Sequence, residues 1–228
     1  MSALSLRDVS VTLGGTTVLE RTSVDLDARR IAIIGENGSG KSTLARVIGG
    51  LVPPSSGHVL VHGVDAVRDL RLLRRRIAVV FSNPDAQIIM PTVAEDVAFS
   101  LRADKLPRQV VAERVATALE DFGLAALAGR SAHELSGGQK QLLALCGAFI
   151  RSPELVIADE PTALLDARNA RNVAAHLLER QGHRLVLVTH DLALAARCDE
   201  AVLVESGRIG VVGAPDEVIA AYERSLVC

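Results

Sequence analysis

The sequence predicts an α/β fold, with a core built on a buried parallel sheet, an antiparallel β subdomain and an inserted helical subdomain. Short runs rich in Val and Ile recur and are continuous rather than alternating, which is typical of strands buried on both faces of a parallel sheet. Stretches with helical periodicity separate these runs, and this alternation favours an α/β domain. Near both ends of the chain, stretches with turn residues are typical of antiparallel hairpins.

The strands and hairpins make up most of the predicted core. Residues 4–27, which contain Gly14-Gly15, and residues 201–212 are predicted antiparallel hairpins. The continuous apolar runs predict sheet strands at 31–34, 77–81, 155–158 and 185–188. Because ligands of α/β sheets bind at the carboxyl ends of the strands, the residues that follow these runs are candidates for a site.

The region between the second and third of these strands is predominantly helical. Apolar residues recur at helical spacing from about Gln109 to Phe122, and a further helix is predicted to run to about Ile150. We therefore predict a single domain over residues 1–228. Its core, with the β subdomain, comprises 1–82 and 151–228, and its helical subdomain comprises 83–150.

Composition and charge exclude several classes of protein. Of the 228 residues, 49% are hydrophobic and 23% are charged, with a net charge of −2, so no strongly basic nucleic-acid surface is expected. The arginine-rich stretch 68–76 is expected to be a solvated helix face. No apolar run is long enough to span a membrane, and the first residues lack a signal-peptide pattern. Cys146, Cys198 and Cys228 have no metal-like spacing, so we expect a reducing, cytoplasmic setting.

A glycine-rich loop follows the strand at 31–34. Residues 35–42 match G-x-x-x-x-G-K-[ST], and glycines let backbone N–H groups surround phosphate oxygens at the start of a helix. This unit resembles the RecA-like core of P-loop NTPases, in which the lysine contacts the β- and γ-phosphates and the hydroxyl ligates Mg²⁺. The alternative is a strand-to-helix turn without a ligand. The predicted nucleotide-binding residues here are Gly35, Asn37, Gly38, Ser39, Gly40, Lys41, Ser42 and Thr43.

Two further strands end in residues suited to hydrolysis. The strand at 155–158 leads into Asp159, which we expect to hold Mg²⁺, and Glu160, which we expect to orient or deprotonate the attacking water. His190 follows the strand at 185–188, where it could bond the γ-phosphate and hold Glu160 in place. The alternatives are a solvated acidic strand end and a structural histidine.

A second anion-binding helix start lies about 100 residues after the loop. Leu135-Ser136-Gly137-Gly138-Gln139 opens the helix that runs to about Ile150, and Ser136 is a good N-cap residue. Together with the other motifs, this signature resembles the nucleotide-binding subunit of ATP-binding cassette (ABC) transporters over essentially the whole chain.

The resemblance implies that two subunits enclose two ATP molecules head to tail. It also implies that ATP and Mg²⁺ are the cofactors of this chain. The implied partner is a second copy of the chain or a homologous ATPase, which would pair with it in an ATP-dependent manner. Asp166 would lie at the dimer seam, in the D-loop Ala163–Asp166. The residues that would contact the partner's ATP are Ser136, Gly137, Gly138 and Gln139.

Four positions depart from the family pattern: Leu13, Ser82, Leu142, where an arginine is common, and Ala163, where a serine is common. Leu13 stands where an aromatic residue usually stacks on adenine, so it retains apolar contact without ring stacking. Ser82 stands where a glutamine usually reaches Mg²⁺. Either Ser82 or Gln87 would complete the magnesium site.

Two segments resemble the ATPases of energy-coupling-factor (ECF) importers. These are Asn83–Gln87 and Pro91–Phe99, while Ser82 together with Gln139–Leu143 looks most like the biotin transporter ATPase. The resemblance implies an ATPase that powers vitamin uptake, with biotin as the expected substrate. Cobalt, nickel or another ECF or ABC importer is the alternative, followed by a soluble non-transport ABC ATPase or a nucleotide sensor.

The same resemblance implies membrane partners. An ECF transmembrane T component and a substrate-binding S component would hold the chain peripherally at the cytoplasmic face of the plasma (inner) membrane. Residues from about Ile88 to Phe99 are the candidate contact, and the alternative is that Ile88, Ile89 and Met90 belong to the core.

Overall fold

The structure, a computed structural model, describes residues 2–226 and divides into two compact units. The core unit comprises the chain up to Ala78, Glu154–Glu160 and the chain from His183 onward, and the helical unit comprises Val79–Pro153 and Pro161–Gly182. The sequence predicts a helical part over 83–150, with residues 161–182 in the core. The structure instead groups 161–182 with the helical unit, because its helix packs against the helix that follows the signature.

Ten strands and eight α-helices are present in the described residues. The strands are β1 (Leu4–Leu13), β2 (Thr16–Leu26), β3 (Arg30–Ile34), β4 (Ser56–Val61), β5 (Val64–Asp65), β6 (Ile77–Val80), β7 (Leu155–Asp159), β8 (Arg184–Val188), β9 (Glu200–Glu205) and β10 (Arg208–Gly213). The helices are α1 (Lys41–Ile48), α2 (Leu70–Arg76), α3 (Val93–Phe99), α4 (Arg108–Asp121), α5 (Gly137–Phe149), α6 (Ala167–Leu178), α7 (Leu192–Ala195) and α8 (Pro215–Ser225).

An antiparallel sheet of four strands occupies one part of the core unit, in the order β2-β1-β4-β5. The hairpin predicted over 4–27 is confirmed, with Leu4 opposite Leu26 and Leu13 opposite Thr16. Gly14 and Gly15 have φ values of 55° and 83°, so the connection uses the positive φ angles that tight hairpins require.

The predicted parallel sheet is confirmed as part of a six-stranded sheet in the order β10-β9-β3-β8-β7-β6. β3 pairs in parallel with both β8 and β9, and β7 pairs in parallel with β8. Every residue of β7 is buried, which explains the continuous apolar run in its sequence. The hairpin predicted over 201–212 is confirmed as β9 and β10. The carboxyl ends of β3, β7 and β8 therefore lie at one edge of the sheet.

The helical unit is organised around α5, which packs against α3 and α6. Its residues Gln141–Cys146 are all buried, whereas α4 buries only one face, through Val115, Ala118 and Leu119. The helix predicted over about 109–122 is confirmed as α4. No helix within residues 2–226 has both the length and the hydrophobicity that a membrane span requires.

Two of the three cysteines are buried free thiols. Burial raises the pKa of both Cys146 and Cys198 to about 12, so neither is a reactive thiolate at neutral pH. Cys228 lies outside the described residues.

Candidate functional site

The loop between β3 and α1 contains glycines at positions where no side chain fits. Gly35 and Gly40 have φ values of 142° and 107°, in the region that favours glycine. A Cβ at Gly35 would lie 2.1 Å from the carbonyl oxygen of Val204, and a Cβ at Gly40 would lie 2.8 Å from Leu19 Cδ2. The loop therefore runs directly against β9 and β2, which fix the path of its backbone.

Lys41, the first residue of α1, reaches back under this loop. Its Nζ atom donates hydrogen bonds to the carbonyl oxygens of Gly35 and Glu36, both at 2.6 Å. Lys41 is only 6% exposed, and burial lowers the pKa of its ammonium group, while the charges of Glu160 and Asp159 oppose that shift. Because an ammonium group carries three donors, one N–H remains for a phosphate oxygen.

Oxygen ligands suited to Mg²⁺ lie beside the loop. Ser42 Oγ donates to Asp159 Oδ1 at 2.7 Å, and Asp159 Oδ2 lies 3.7 Å from the Arg46 guanidinium. A hydroxyl and a carboxylate in contact are hard ligands of the kind that Mg²⁺ prefers. The Ser39 hydroxyl is buried and has no hydrogen-bond partner among the described residues, so it can donate to a phosphate oxygen. These residues fit a nucleotide with its magnesium ion.

The acid predicted to activate water lies against the predicted histidine. Glu160 follows β7 with a φ of 52°, and its N–H donates to the carbonyl oxygen of Val188 at 2.9 Å. The Glu160 Oε2 atom lies 2.8 Å from His190 Nδ1, which is a hydrogen-bond distance. Left-handed conformations of residues other than glycine concentrate at functional sites. The predicted catalytic residues thus lie at the same sheet edge as Asp159, and their catalytic roles stay predictions.

The remaining predicted nucleotide contacts are fully or partly open to solvent. Asn37 and Gly38 are exposed at the tip of the loop, and Thr43 is half-buried in α1. Leu13, at the end of β1, is 46% exposed, so its side chain is accessible to an apolar surface such as a base.

The signature begins α5 in the helical unit with a complete cap. Ser136 Oγ accepts a hydrogen bond from the Gln139 N–H at 3.3 Å, and Gln139 Oε1 accepts one from the Ser136 N–H at 2.9 Å. Ser136 and Gly137 are exposed, and a Cβ at Gly137 would meet no atom within 4 Å. Residues Ser136–Gln139, named the signature tip below, are therefore held locally and open on one side.

The D-loop, Ala163–Asp166, contains a carboxylate that accepts backbone hydrogen bonds and an exposed apolar side chain. Asp166 is the N-cap of α6, and its Oδ1 atom accepts hydrogen bonds from the N–H groups of Arg168 and Asn169, both at 2.9 Å. These bonds, with Asn169 as the largest contributor, lower the pKa of the Asp166 carboxyl. Leu164 is fully exposed and has a φ of 64°.

The two candidates for the last magnesium ligand differ in availability. The Gln87 side chain accepts a hydrogen bond from the Phe81 N–H at 2.8 Å and donates to the Val79 carbonyl oxygen at 2.9 Å. Both ends of its amide are therefore bound to the backbone that follows β6. The Ser82 side chain is exposed. The magnesium role of each residue stays a prediction.

An apolar groove of about 420 Å³ runs beside α3. Next to it, Ile89 is 66% exposed, whereas Ile88 is 8% exposed, so Ile88 belongs to the core and Ile89 does not. The residues that line the groove are Met90, Glu95, Ala98, Phe99, Leu101, Arg102, Lys105, Leu106 and Val111.

Two contacts that the sequence does not predict connect α5 to the backbone after β6. Lys140 Nζ lies 2.7 Å from Asp85 Oδ1, and the buried Gln141 donates from Nε2 to the Phe81 carbonyl oxygen at 3.1 Å. The rarity of lysine in this arginine-rich chain is the one signal that marks Lys140.

Comparisons with known proteins agree with this geometry. The family model described as ABC transporter matches residues 19–163. The energy-coupling factor transporter ATP-binding protein EcfA1 of Symbiobacterium thermophilum is 44% identical, over 88% of this chain and 73% of its own length.

Two relatives are named for different substrates. The biotin transport ATP-binding protein BioM of Rhizobium etli is 36% identical over 97% of this chain and 98% of its own length. The nickel import ATP-binding protein NikO of Rhodobacter capsulatus is 37% identical over 96% of this chain and 91% of its own length.

The same likeness extends to a solved structure. CbiO1 of Clostridium perfringens, described as part of the ABC transporter complex CbiONQ, superposes with a TM-score of 0.85 at 33% identity, covering 99% of this chain and 94% of that one. The family match covers more than half of the chain and agrees with the loop, acid and signature geometry. The chain therefore belongs to the ABC transporter family, as one of its ATP-hydrolysing chains.

Proposed function

We propose that this chain is the ATP-hydrolysing subunit of an ECF-type importer that takes up a vitamin, with biotin as the favoured substrate. The observation that carries the importer assignment is the apolar groove beside α3 with its exposed neighbour Ile89. That surface overlaps Pro91–Phe99, one of the segments whose sequence resembles ECF ATPases, through Glu95, Ala98 and Phe99. An apolar surface of this kind favours contact with another protein.

The core unit supplies the hydrolytic chemistry. Lys41 would bind the β- and γ-phosphates with its remaining N–H, and Ser42 and Asp159 would hold Mg²⁺. When bound, Mg²⁺ supplies positive charge to the phosphate oxygens. Glu160 would accept the proton of the attacking water, and His190, at 2.8 Å from Glu160, would hold that carboxylate in its orientation.

Hydrolysis would require two copies, or one copy with a homologous ATPase. The signature tip exposes Ser136 and Gly137 at a helix start, where backbone N–H groups and the helix dipole favour an anion. The fully exposed Leu164 in the neighbouring D-loop supplies an apolar contact for the second copy. ATP would thus complete the interface between copies, and its hydrolysis would loosen that interface.

The groove would receive a helix of the T component, which in turn would contact the S component. Its apolar floor, with Phe99 and Leu101, suits the apolar face of such a helix, and its rim carries both Glu95 and Arg102 for polar contacts. This arrangement would keep the chain peripheral, at the cytoplasmic face of the plasma membrane, without a nucleic-acid partner.

The docking surface can be tested by placing a charge in it. Ile89→Asp should abolish co-purification with a detergent-extracted T component and leave the hydrolysis rate of the isolated chain within about twofold of wild type. Val67→Asp is the matched control, because Val67 is 50% exposed and lies in the core unit. A complex that survives Ile89→Asp would contradict the proposed docking.

Identifying the transported substrate needs a separate experiment, because the residues that would bind it belong to another chain, the S component. The biotin and nickel relatives are 36% and 37% identical, so identity does not separate the two substrates. The chain should be reconstituted with its T and S components in vesicles and assayed for uptake of labelled biotin and of nickel or cobalt ions. ATP-dependent biotin uptake supports the proposal, and metal uptake alone would replace biotin by the metal.

A nucleotide sensor is the second candidate function. The observation that favours it is the full engagement of the Gln87 amide with backbone, next to a serine at the usual glutamine position. A sensor would bind ATP with little turnover. Tight ATP binding by the wild-type chain, with a hydrolysis rate that stays near the uncatalysed rate when its T and S components are present, would support the sensor over the importer.

A further inference from the structure

One side chain without a predicted role lies against the signature tip. Asn169 is in the first turn of α6, and its side-chain amide lies over Gly138, in the first turn of α5. A Cβ at Gly138 would lie 2.2 Å from Asn169 Cγ and 2.4 Å from Asn169 Nδ2. Because real Cβ atoms do not approach so closely, residue 138 can carry no side chain while Asn169 keeps its position.

The same amide is bonded to the D-loop. Asn169 Nδ2 donates to Asp166 Oδ2 at 2.7 Å, and the Asn169 N–H donates to Asp166 Oδ1 at 2.9 Å. These bonds hold the pKa of the Asp166 carboxyl below its usual value, so the acceptor is ionised at neutral pH. Charge-assisted hydrogen bonds are the stronger kind, so the amide is firmly oriented.

We propose that Asn169 is a positioning residue for ATP hydrolysis, which fixes the signature tip relative to the D-loop through Gly138 and Asp166. This inference rests on the proposed function, in which both elements meet the ATP held by a second copy. Asn169 acts through its neighbours and is not a catalytic residue. Misplacing reacting groups by about 1 Å can reduce a rate about 100-fold, so a side chain that fixes this spacing affects turnover.

The first test separates positioning from stability. Asn169→Ala should lower kcat about tenfold and raise the ATP concentration that pairs two copies in a Glu160→Gln background. ATP affinity of the unpaired chain should not change, because the nucleotide loop lies in the core unit. Asn172→Ala is the matched control, since Asn172 is exposed on the same helix. Wild-type kcat and wild-type pairing in Asn169→Ala would overturn the proposal. So would a loss of thermal stability that is accompanied by an equal loss of ATP affinity in the unpaired chain.

The second test uses the contact with Gly138 directly. Gly138→Ala alone should lower kcat, because the new methyl group collides with Asn169. In an Asn169→Ala background that space is open, so the further loss from Gly138→Ala should be at least about fivefold smaller. If the effects of the two substitutions on kcat are strictly additive, Asn169 does not position the signature tip through its contact with Gly138. If two copies of the wild-type chain do not pair in the presence of ATP, the proposed function is refuted instead. The two failures therefore remain distinguishable.

Discussion

The two units carry their functional residues in opposite ways. In the core unit, Lys41 and Asp159 are each 6% exposed and are hydrogen-bonded to neighbours within the unit. In the helical unit, Ser136 is exposed, Leu164 is fully exposed and Ile89 is 66% exposed. A buried, bonded set of side chains is a binding site before its ligand arrives, whereas exposed residues of this kind await another molecule. This difference is what the proposed pairing requires, because in it each chain would contribute one half of each composite site.

The largest expected effect comes from the core unit. Glu160→Gln should lower kcat about 100-fold or more, because an amide cannot accept the proton of the attacking water. ATP binding should persist, so the variant should accumulate as an ATP-bound pair in size-exclusion chromatography. Glu217→Gln, on the exposed face of α8, is the control and should retain the wild-type rate. Unchanged hydrolysis in Glu160→Gln would remove Glu160 from the catalytic role.

Lys41→Ala should weaken ATP binding about 100-fold, because it removes the buried ammonium group that lies against the loop. Equilibrium titration with a fluorescent ATP analogue measures this loss. Signature-tip variants such as Ser136→Ala should leave that affinity unchanged in the unpaired chain. Normal affinity in Lys41→Ala would contradict the phosphate-site interpretation.

Glycines of the two units should respond differently to an added methyl group. Gly35→Ala places a Cβ 2.1 Å from the Val204 carbonyl oxygen at a φ of 142°, so it should lower the free energy of unfolding by about 2–4 kcal/mol. Gly137→Ala meets no atom within 4 Å and should change stability by less than about 0.5 kcal/mol. Chemical denaturation measures both, and equal losses would remove the contrast between the units.

The smallest expected effect concerns pH. The folded-state pKa of Asp166 is lowered below 3.8, so its contribution to stability is present above that unfolded value and is lost as the pH falls through the folded value. Asp166→Asn should therefore lower Tm slightly at pH 7, and the loss should shrink as the pH falls below 3.8. A difference in Tm that grows towards acid pH would contradict this assignment.

The core unit follows more directly from the sequence than the helical unit does. β3, β7 and β8 are readable because strands buried on both faces leave continuous apolar runs, and the glycine-rich loop carries its chemistry in adjacent residues. The contact of Asn169 with Gly138 leaves no local pattern, because it depends on how α6 packs against α5. That packing also explains why residues 161–182 group with the helical unit rather than with the core.

Gln87 is a single residue whose contacts likewise could not be predicted from the local sequence. Its position after β6 marks it as a possible magnesium ligand, yet its amide is bonded to the backbone of Val79 and Phe81. Hydrogen bonds of this kind are set by loop geometry, which a motif does not specify. Both ends of the Gln87 amide are thus engaged by backbone in the structure, and its magnesium role stays a prediction.

Complementation between two inactive variants tests most directly whether each site is shared by two copies. Ser136→Arg blocks the signature tip and keeps Lys41, whereas Lys41→Ala weakens the nucleotide loop and keeps Ser136. In a mixed pair, one site would combine the intact loop of the first variant with the intact tip of the second. The account predicts little hydrolysis from either variant alone and restored hydrolysis on mixing. Wild-type hydrolysis by the Ser136→Arg chain alone, or no gain on mixing, would contradict it.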